Sequence, residues 1–530
     1  METYRVLLSD SLAPKGIEAL RGNPALAVDV KTGLSPEQLA EIIAPYHALV
    51  VRSATKVTRE VIEQASNLRV IGRAGVGVDN VDLEAATRRG IVVMNSPSGN
   101  SVTTAEHAIS MLMALARHIP AADASTKCGK WEREKFIGTE VRGKTLGVVG
   151  LGNIGRIVAD LAAGLKMKVI GYDPMLTDAA ADRLCIQLVT LEQLYQRADF
   201  LTVHTPLTDE TRGLIGEAAI ARMKDGVRII NCARGGIVDE GALVNAVRSG
   251  KVAGAALDVF VEEPPPPSHP LLKFPQVITT PHLGAATGEA QVQVAIDIAQ
   301  QVSDFLLHGA IRQAVNIPTL TTKELEVLGP HLMLGERLGR LCAQLIKEGP
   351  SKVTVELGGE AANLNPEPIT AAVLKGLLSN FLDETLNFVN APFIARERGI
   401  RVVETRSREG TDYRNTLTLA VQTSSGSLEV AGALIGNRAL RVIRIDTYRV
   451  EAVPEGYFIM LRNRDVPGVV GQVGTLLGRA NVNIAGLALG RDRVGGMAIN
   501  LVAVDGPVPS SVLDDLRALP AITSATLIKL

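Results

Sequence analysis

Three polar residues, each just beyond a short apolar run, carry the chemistry this sequence offers: Arg234 in NCARGG, Glu263 in DVFVEEPP and His282 in TTPHLGA. An imidazole titrates near neutrality and serves as general base for a hydroxyl proton. A carboxylate beside it orients the ring and favours its charged form. A guanidinium holds a carboxylate through two parallel hydrogen bonds. Base, orienting acid and carboxylate clamp together suit removal of hydride from a carbon that bears a hydroxyl. Taken singly, each has a plainer reading: a loop ion pair, a solvated acid, a loop or core histidine. Their convergence requires a parallel sheet whose strand ends face one crevice. His204, in FLTVH, reads as structural.

A hydride needs an acceptor, and the stretch from Gly143 to Asp173 supplies the signature of one. An apolar run through Leu146, Val148 and Val149 ends in Gly150, Gly152 and Gly155, which open a helix with Ile154, Ile157, Val158, Leu161 and Leu165 on one face. Gly150 permits the strand-to-helix turn, Gly152 lets backbone N–H groups approach a pyrophosphate, and Gly155 lets helix and sheet pack closely. The helix N-terminus adds partial positive charge for the phosphates. Asp173, about 20 residues on, is placed to accept hydrogen bonds from ribose hydroxyls and to repel a 2′-phosphate, which points to NAD rather than NADP. A second glycine-rich loop, IGRAGVGVDNVD, reads instead as a tight turn at a strand end, because Asp79 and Asp82 follow where a phosphate-binding helix would begin; such loops often line a substrate cleft.

The elements that position these groups alternate strand and helix. Short apolar strands at Val6–Leu8, Ala48–Val51, Val70–Gly72 and Ile91–Met94, with helices between them, predict a doubly wound parallel sheet. A strong helix follows over Val102–Arg117, capped by Ser101 or Thr103. The charged segment KCGKWEREKF, holding the lone Trp131, is either a solvated face or an interface completing a neighbour's site. Strands at Phe200–His204, Val227–Cys232, Gly254–Val259 and Val277–Thr279 continue the cofactor unit. A long helix over Glu289–Leu307 is expected to cross back to the first domain and make it discontinuous. NIPTLTT (316–322) and Pro454–Gly456 read as linkers. Between them lie helical and β-like pieces without a catalytic constellation. The last stretch reads βαββαβ, the ferredoxin-like order.

Composition limits the remaining classes. A chain of 530 residues implies three or four domains. A formal net charge of −1 offers no footprint for nucleic acid. The N-terminus resembles neither a signal nor a transit peptide, and no apolar run is long enough for a membrane span. Cys128, Cys185, Cys232 and Cys342 are widely spaced and form no metal motif, which fits a reducing cytoplasm and no metal site.

GLGNIGR, GYDP, VHTPLTDETRGLI, NCARGGIVDEGAL, AALDVFVEEP and PHLGAAT together resemble the D-2-hydroxyacid dehydrogenase family over about residues 1–317. RAGVGVDNVDLEAAT, NSPSGNSVTTAEHAI and KWEREKFIGTE resemble its long branch, which acts on 3-phospho-D-glycerate and carries an intervening domain and a C-terminal ACT domain. The resemblance implies NAD-dependent oxidation to 3-phosphooxypyruvate, the first step of L-serine biosynthesis. It implies an α/β chain of two doubly wound domains, flavodoxin-like and Rossmann, followed by an α+β intervening domain and a ferredoxin-like ACT domain. The expected division is a discontinuous substrate-binding domain (1–98 and 287–316), an NAD-binding domain (99–286), an intervening domain (317–454) and an ACT domain (455–530).

By motif, Arg234, Glu263 and His282 carry over as the catalytic trio. Gly150, Gly152, Asn153, Ile154, Gly155, Asp173, Thr205, Cys232, Arg234, Asp258, His282, Gly284 and Ala285 carry over as cofactor contacts. Arg52, Arg73, Asn100 and, from a partner subunit, Arg133 are candidates for the substrate's phosphate and carboxylate. Val76 departs from relatives with Thr there, losing a hydroxyl contact to the cofactor phosphates. Asn463, Asp465 and Asn483 correspond to groups holding an L-serine effector between paired ACT domains; a purely assembling role is the alternative. A homotetramer is implied. The same trio would also serve another 2-hydroxy acid, such as glycerate or 2-hydroxyglutarate, and an NAD-sensing binding protein on this scaffold is the reading from a different class.

Overall fold

A computed structural model describes residues 3–530 apart from 98, 178–180, 182, 185, 319, 321, 383–385, 408–411 and 437. Ser98 of the SGNS motif, Cys185, two threonines of the NIPTLTT linker and the DET of the third region therefore lie outside the described residues.

Five parallel strands, β1 (Tyr4–Leu8), β2 (Leu26–Val30), β3 (Ala48–Val51), β4 (Val70–Arg73) and β5 (Val92–Asn95), form the first sheet in the order β2-β1-β3-β4-β5. That is the flavodoxin-like doubly wound order. Strand β2, unlike the others, has no counterpart among the strands expected from sequence: it is an edge strand whose LAVDV is only half buried, so it lacks the continuous apolar run of β3 and β4. The Gly288–His308 helix returns to this sheet, with Ala295, Ile298, Ala299 and Val302 in one core with Val6, Val50, Val70 and Val92. The linker that follows is tied down: Asn316 accepts from the Val93 amide at 2.9 Å and donates to the Ile91 carbonyl at 2.8 Å.

The second sheet joins β6 (Thr145–Val149), β7 (Lys168–Tyr172), β8 (Gln187–Leu188), β9 (Phe200–Val203), β10 (Val227–Asn231), β11 (Val252–Leu257) and β12 (Val277–Thr279) in the order β12-β11-β10-β9-β6-β7-β8. Strand order reverses between β6 and β9, and a ligand crevice opens at such a switch point. The two-residue β8, too short to show a period, also escaped the sequence reading. The helix Ser101–Arg117 packs Ala105, Ala108, Leu112 and Leu115 against this sheet. Its N-cap is Asn100, one residue earlier than expected, and no side chain caps it.

The intervening region resolves into a six-stranded mixed sheet that composition alone did not reveal. Its strands β13 (Lys352–Gly359), β14 (Arg401–Ser407), β15 (Asn415–Gln422), β16 (Ser427–Ile435), β17 (Ala439–Ile445) and β18 (Tyr448–Ala452) run in the order β14-β13-β15-β16-β17-β18. Helices Thr322–Leu345 and Pro366–Leu378 cover it; Leu334, Leu338 and Leu341 pack with Ile369, Val373, Leu419 and Val430. The final unit pairs β19 (Tyr457–Arg464), β20 (Ile484–Arg491), β21 (Met497–Val504) and β22 (Ile522–Lys529) as an antiparallel sheet β20-β21-β19-β22, the ferredoxin-like arrangement read from sequence. Among the described residues, no helix is long and apolar enough to cross a membrane.

Candidate active site

The turn after β6 makes the floor of the crevice. Gly150 has φ 88°, a left-handed conformation that favours glycine, and a Cβ there would press on the His204 carbonyl at 2.6 Å. The Asn153–Gly164 helix starts with Gly152 as an N-cap that offers no side-chain acceptor, and a Cβ at Gly152 would meet open space. The N–H groups of Asn153 and Ile154 therefore face the crevice without a capping partner. Asp173, at the end of β7, accepts from the Leu151 amide on Oδ2 and the Met175 amide on Oδ1, both at 2.8 Å. Each oxygen keeps lone-pair capacity for a ribose hydroxyl. Thr205, just beyond β9, has a buried hydroxyl with no partner, and the half-buried His204 before it has its pKa pushed down to about 4 by desolvation. The crevice thus fits a dinucleotide: uncapped amides, an anchored acid and an orphaned hydroxyl border it.

Beyond β10, β11 and β12 lie the three groups of the sequence reading. His282 Nδ1 meets Glu263 Oε2 at 2.7 Å, and the other carboxylate oxygen accepts from the Phe260 amide at 3.1 Å. The Nδ1 proton points at the carboxylate, so Nε2 is the free basic nitrogen. The hydrogen bond from Glu263 raises the His282 pKa above its ordinary value, outweighing burial. Burial would raise the Glu263 carboxyl, yet the bonds from His282 and the Phe260 amide hold it below the usual carboxylate range.

His282 sits in a left-handed turn at φ 55°, a strained setting for a histidine, and the surroundings show what holds it. Its amide reaches the Asp258 carbonyl at 3.0 Å. The fully buried Asp258 carboxylate accepts from the amides of Leu283 (2.7 Å) and Gly284 (2.8 Å), the Thr280 hydroxyl, and His107 Nε2 (3.2 Å). Burial opposes ionisation of Asp258, but the bonds from His107, Thr280 and the Leu283 amide keep it charged, with a lowered pKa. His107 and Thr280 were not singled out from sequence, because their role is to hold Asp258. Gly284 is further fixed by Thr104, which donates to its carbonyl at 3.0 Å. Ala285 follows half-buried. Cys232 is a buried neutral thiol, its pKa pushed far up by desolvation.

Arg234 reaches across the crevice. Its Nε donates to Asp79 Oδ2 at 3.0 Å, and a Cβ at Gly77 would collide with its Nη2, so the guanidinium lies on the backbone of the first domain's glycine loop. The glycine loop thus lines the crevice, as a tight turn at a strand end often does, and its Asp79 is the partner of the Arg234 guanidinium. Arg73, at the end of β4, is mostly buried with Nε unpartnered. Burial, then repulsion from Arg234, lowers its pKa to about 10, and Arg52 adds to that repulsion. Arg52 is held through its amide by Asp10 Oδ2 at 2.5 Å. Asn100 is buried with its Oδ1 orphaned. Arg73, Arg234 and Arg52 therefore stand close enough to repel one another, and a multiply charged anion among them would relieve that repulsion.

Two groups are not brought together. Arg133 occupies an exposed 3-10 turn, Arg133–Phe136, beside Trp131, which is 79% exposed, and among the described residues nothing joins it to the cluster. In the last sheet Asp465 follows β19 and accepts from Arg491 Nη1 at 3.2 Å, while Asn483 precedes β20 at the opposite end and donates to Asp505 at 2.8 Å. At about 3.3 Å per residue the length of β20 separates them by roughly 25 Å. Asn463 is buried between β19 and β21 and accepts from Asn500 at 2.7 Å.

Comparison with known proteins agrees with this architecture. Residues 109–284 match the model of the D-isomer specific 2-hydroxyacid dehydrogenase NAD binding domain, residues 327–446 the D-3-phosphoglycerate dehydrogenase intervening domain, and residues 457–521 the ACT domain. D-3-phosphoglycerate dehydrogenase of Synechocystis is 48% identical over 99% of this chain and 95% of its own. The enzyme of that name from Archaeoglobus fulgidus is 45% identical over 99% of this chain and 100% of its own. Among solved structures, a glyoxylate reductase from Paecilomyes thermophila is 30% identical with a TM-score of 0.55, covering 59% of this chain and 99% of its own. Apo D-lactate dehydrogenase from Escherichia coli is 28% identical with a TM-score of 0.53, covering 59% and 99%. The chain belongs to the D-3-phosphoglycerate dehydrogenase family, the D-2-hydroxyacid dehydrogenases that carry an intervening domain and a C-terminal ACT domain.

Proposed function

We propose that this protein oxidises 3-phospho-D-glycerate to 3-phosphooxypyruvate, the first step toward L-serine. The observation that carries the reading is the His282–Glu263 pair at 2.7 Å, facing a cleft where Arg234, Arg73 and Arg52 gather. The Gly150–Gly155 turn would hold NAD, with Asp173 toward its ribose and Thr205, Cys232, Asp258, Gly284 and Ala285 around it, and the bound nicotinamide would supply the hydride acceptor. His282 Nε2 takes the hydroxyl proton as the C–H bond breaks, and Glu263 stabilises the imidazolium so formed. Arg234 holds the carboxylate next to the reacting carbon, exchanging its contact with Asp79 for the substrate. Arg52, Arg73 and Asn100 receive the phosphate, joined by Arg133 of a second subunit.

The division into a substrate-binding domain (1–98, 287–316), NAD-binding domain (99–286), intervening domain (317–454) and ACT domain (455–530) is part of this reading, supported by the four sheets. So are a homotetramer, supported by the exposed Trp131 and Ile137, and a cytoplasmic setting, which suits the free thiols of Cys128, Cys232 and Cys342. L-serine is the effector, bound by Asn463 and Asp465 of one ACT domain and Asn483 of another; their separation within one chain favours a paired site. Calorimetry with L-serine on wild type and Asp465→Ala tests this, and equal heats in both would refute it.

The substrate is tested by NAD reduction with 3-phospho-D-glycerate and with D-glycerate. Hydrogen bonds to charged groups contribute about 1.5–3 kcal/mol each, so two arginines on the phosphate predict a preference of at least about 100-fold in kcat/KM. Equal values would overturn the phosphate assignment.

A further inference from the structure

At the end of the first sheet opposite the active-site cleft lies a cavity of about 1110 Å³, walled on one side by the first domain and on the other by the intervening domain. Its apolar wall includes Phe305, Ile311, Leu332 and Ala371. Four arginines and two glutamates border it. Arg59 is paired with Asp82 and Glu84, each at 3.7 Å, and Arg88 with Glu397 at 3.5 Å. Arg69 and Arg89 have no carboxylate partner among the described residues; Arg69 instead stands over the rings of Tyr4 and Phe305 at 5.5 and 5.8 Å. The contact between the two domains is polar around the cavity rim. Asn387 donates to the Gly90 carbonyl at 2.8 Å and Asn390 to the Arg88 carbonyl at 3.3 Å.

We propose that this interdomain cavity is an effector site for a small organic anion with an apolar body, its charge held by Arg69 and Arg89 and its body against Phe305, Ile311 and Leu332. Ligand pockets of roughly 300–1,000 Å³ concentrate at domain interfaces, and a mostly apolar wall with a few converging charges is their usual make-up. An uncharged ligand would gain nothing from these two exposed guanidiniums. An inorganic ion would leave the apolar wall uncovered.

The position also joins the cavity to the cleft. Arg69 directly precedes β4, and Arg73 ends it. Arg88 and Arg89 close the Leu83–Arg88 helix, whose N-terminus is capped by Asp82 through the Ala85 amide at 2.9 Å. The loop before that cap carries Asp79, the partner of Arg234. A helix of this length spans roughly 9 Å, so a ligand that shifts its C-terminal end against the intervening domain moves the loop that holds the carboxylate clamp.

The test uses the full chain with NADH and saturating 3-phosphoglycerate present, so that the cleft arginines are occupied, and titrates phenyl phosphate by calorimetry. Saturable binding is expected, weakened at least tenfold in the double variant Arg69→Gln/Arg89→Gln and by filling the cavity with Ala371→Phe. Neither variant is expected to change kcat without the probe. No binding at millimolar concentrations, or an equal Kd in the double variant, would overturn the site. Inorganic phosphate binding as tightly as phenyl phosphate would overturn the assigned chemistry. Saturating phenyl phosphate is expected to shift the KM for 3-phosphoglycerate at least twofold in wild type and not in the double variant; an unmoved KM in wild type would overturn the coupling.

Discussion

Replacing Glu263 by Gln removes a charge and leaves an acceptor for the His282 Nδ1 proton, so the ring keeps its orientation. What is lost is the stabilisation of the imidazolium that forms as hydride leaves. Hydrogen bonds to charged groups contribute about 1.5–3 kcal/mol. The two side chains are 49% and 38% exposed, so solvent screening places this pair at the low end, about 1–1.5 kcal/mol. That is a fall of about five- to tenfold in kcat for oxidation. The pH profile separates this from a structural defect. Oxidation requires neutral His282, and Glu263 raises its pKa, so the acid limb of kcat/KM lies higher in wild type than in Glu263→Gln. The limb should move to lower pH in the variant, and the rate deficit should shrink as pH falls. Stopped-flow measurement of NADH formation from pH 5 to 9, in steps of about half a unit, reads both. An unchanged acid limb, or one displaced upward, would refute the assignment of Glu263 as the partner that stabilises the charged ring.

Three further substitutions probe the remaining parts. His282→Ala should lower kcat by about 10² to 10⁴ while the Kd for NADH, read by fluorescence titration, stays unchanged; full turnover would exclude His282 as the base. Asp173→Ala removes the acceptor of the Leu151 and Met175 amides and the ribose acid, so NAD binding should weaken and discrimination against NADP should relax, with retained selectivity counting against it. Asp79→Asn removes a partner of Arg234 that is 72% exposed; such ion pairs contribute about 0.2–1 kcal/mol, so the KM for 3-phosphoglycerate should fall by up to about fivefold. A raised KM would mean that Asp79 keeps holding Arg234 in the substrate complex.

The cofactor unit was legible in the sequence because its requirements are local. A strand, three glycines, a helix and an acid at the end of the next strand are all set by backbone conformation within about 30 residues. The ferredoxin-like order at the C-terminus was legible for the same reason, since alternation and turn residues mark each element. The trio of Arg234, Glu263 and His282 was visible as residue types following apolar runs. Only the parallel sheet brings His282 within 2.7 Å of Glu263, because strand ends far apart in sequence face one crevice.

What the sequence could not decide is what depends on contacts between domains. Nothing local in RAGVGVDN distinguishes a plain turn from a loop that receives a guanidinium from another domain; Gly77 and Asp79 acquire that role when Arg234 reaches them. The six-stranded sheet of the intervening region was only partly legible: β15 to β18 are successive hairpins, but β13 pairs with β14 and β15 across long stretches of chain that no local pattern marks. Asp465 and Asn483 lie at opposite ends of β20, a separation within one chain that the sequence pattern does not give as a distance. The sequence determined which groups are present and which backbone turns they sit on. Tertiary packing decided which of them face one another, since burial and charge pairing act over distances that the chain order does not encode.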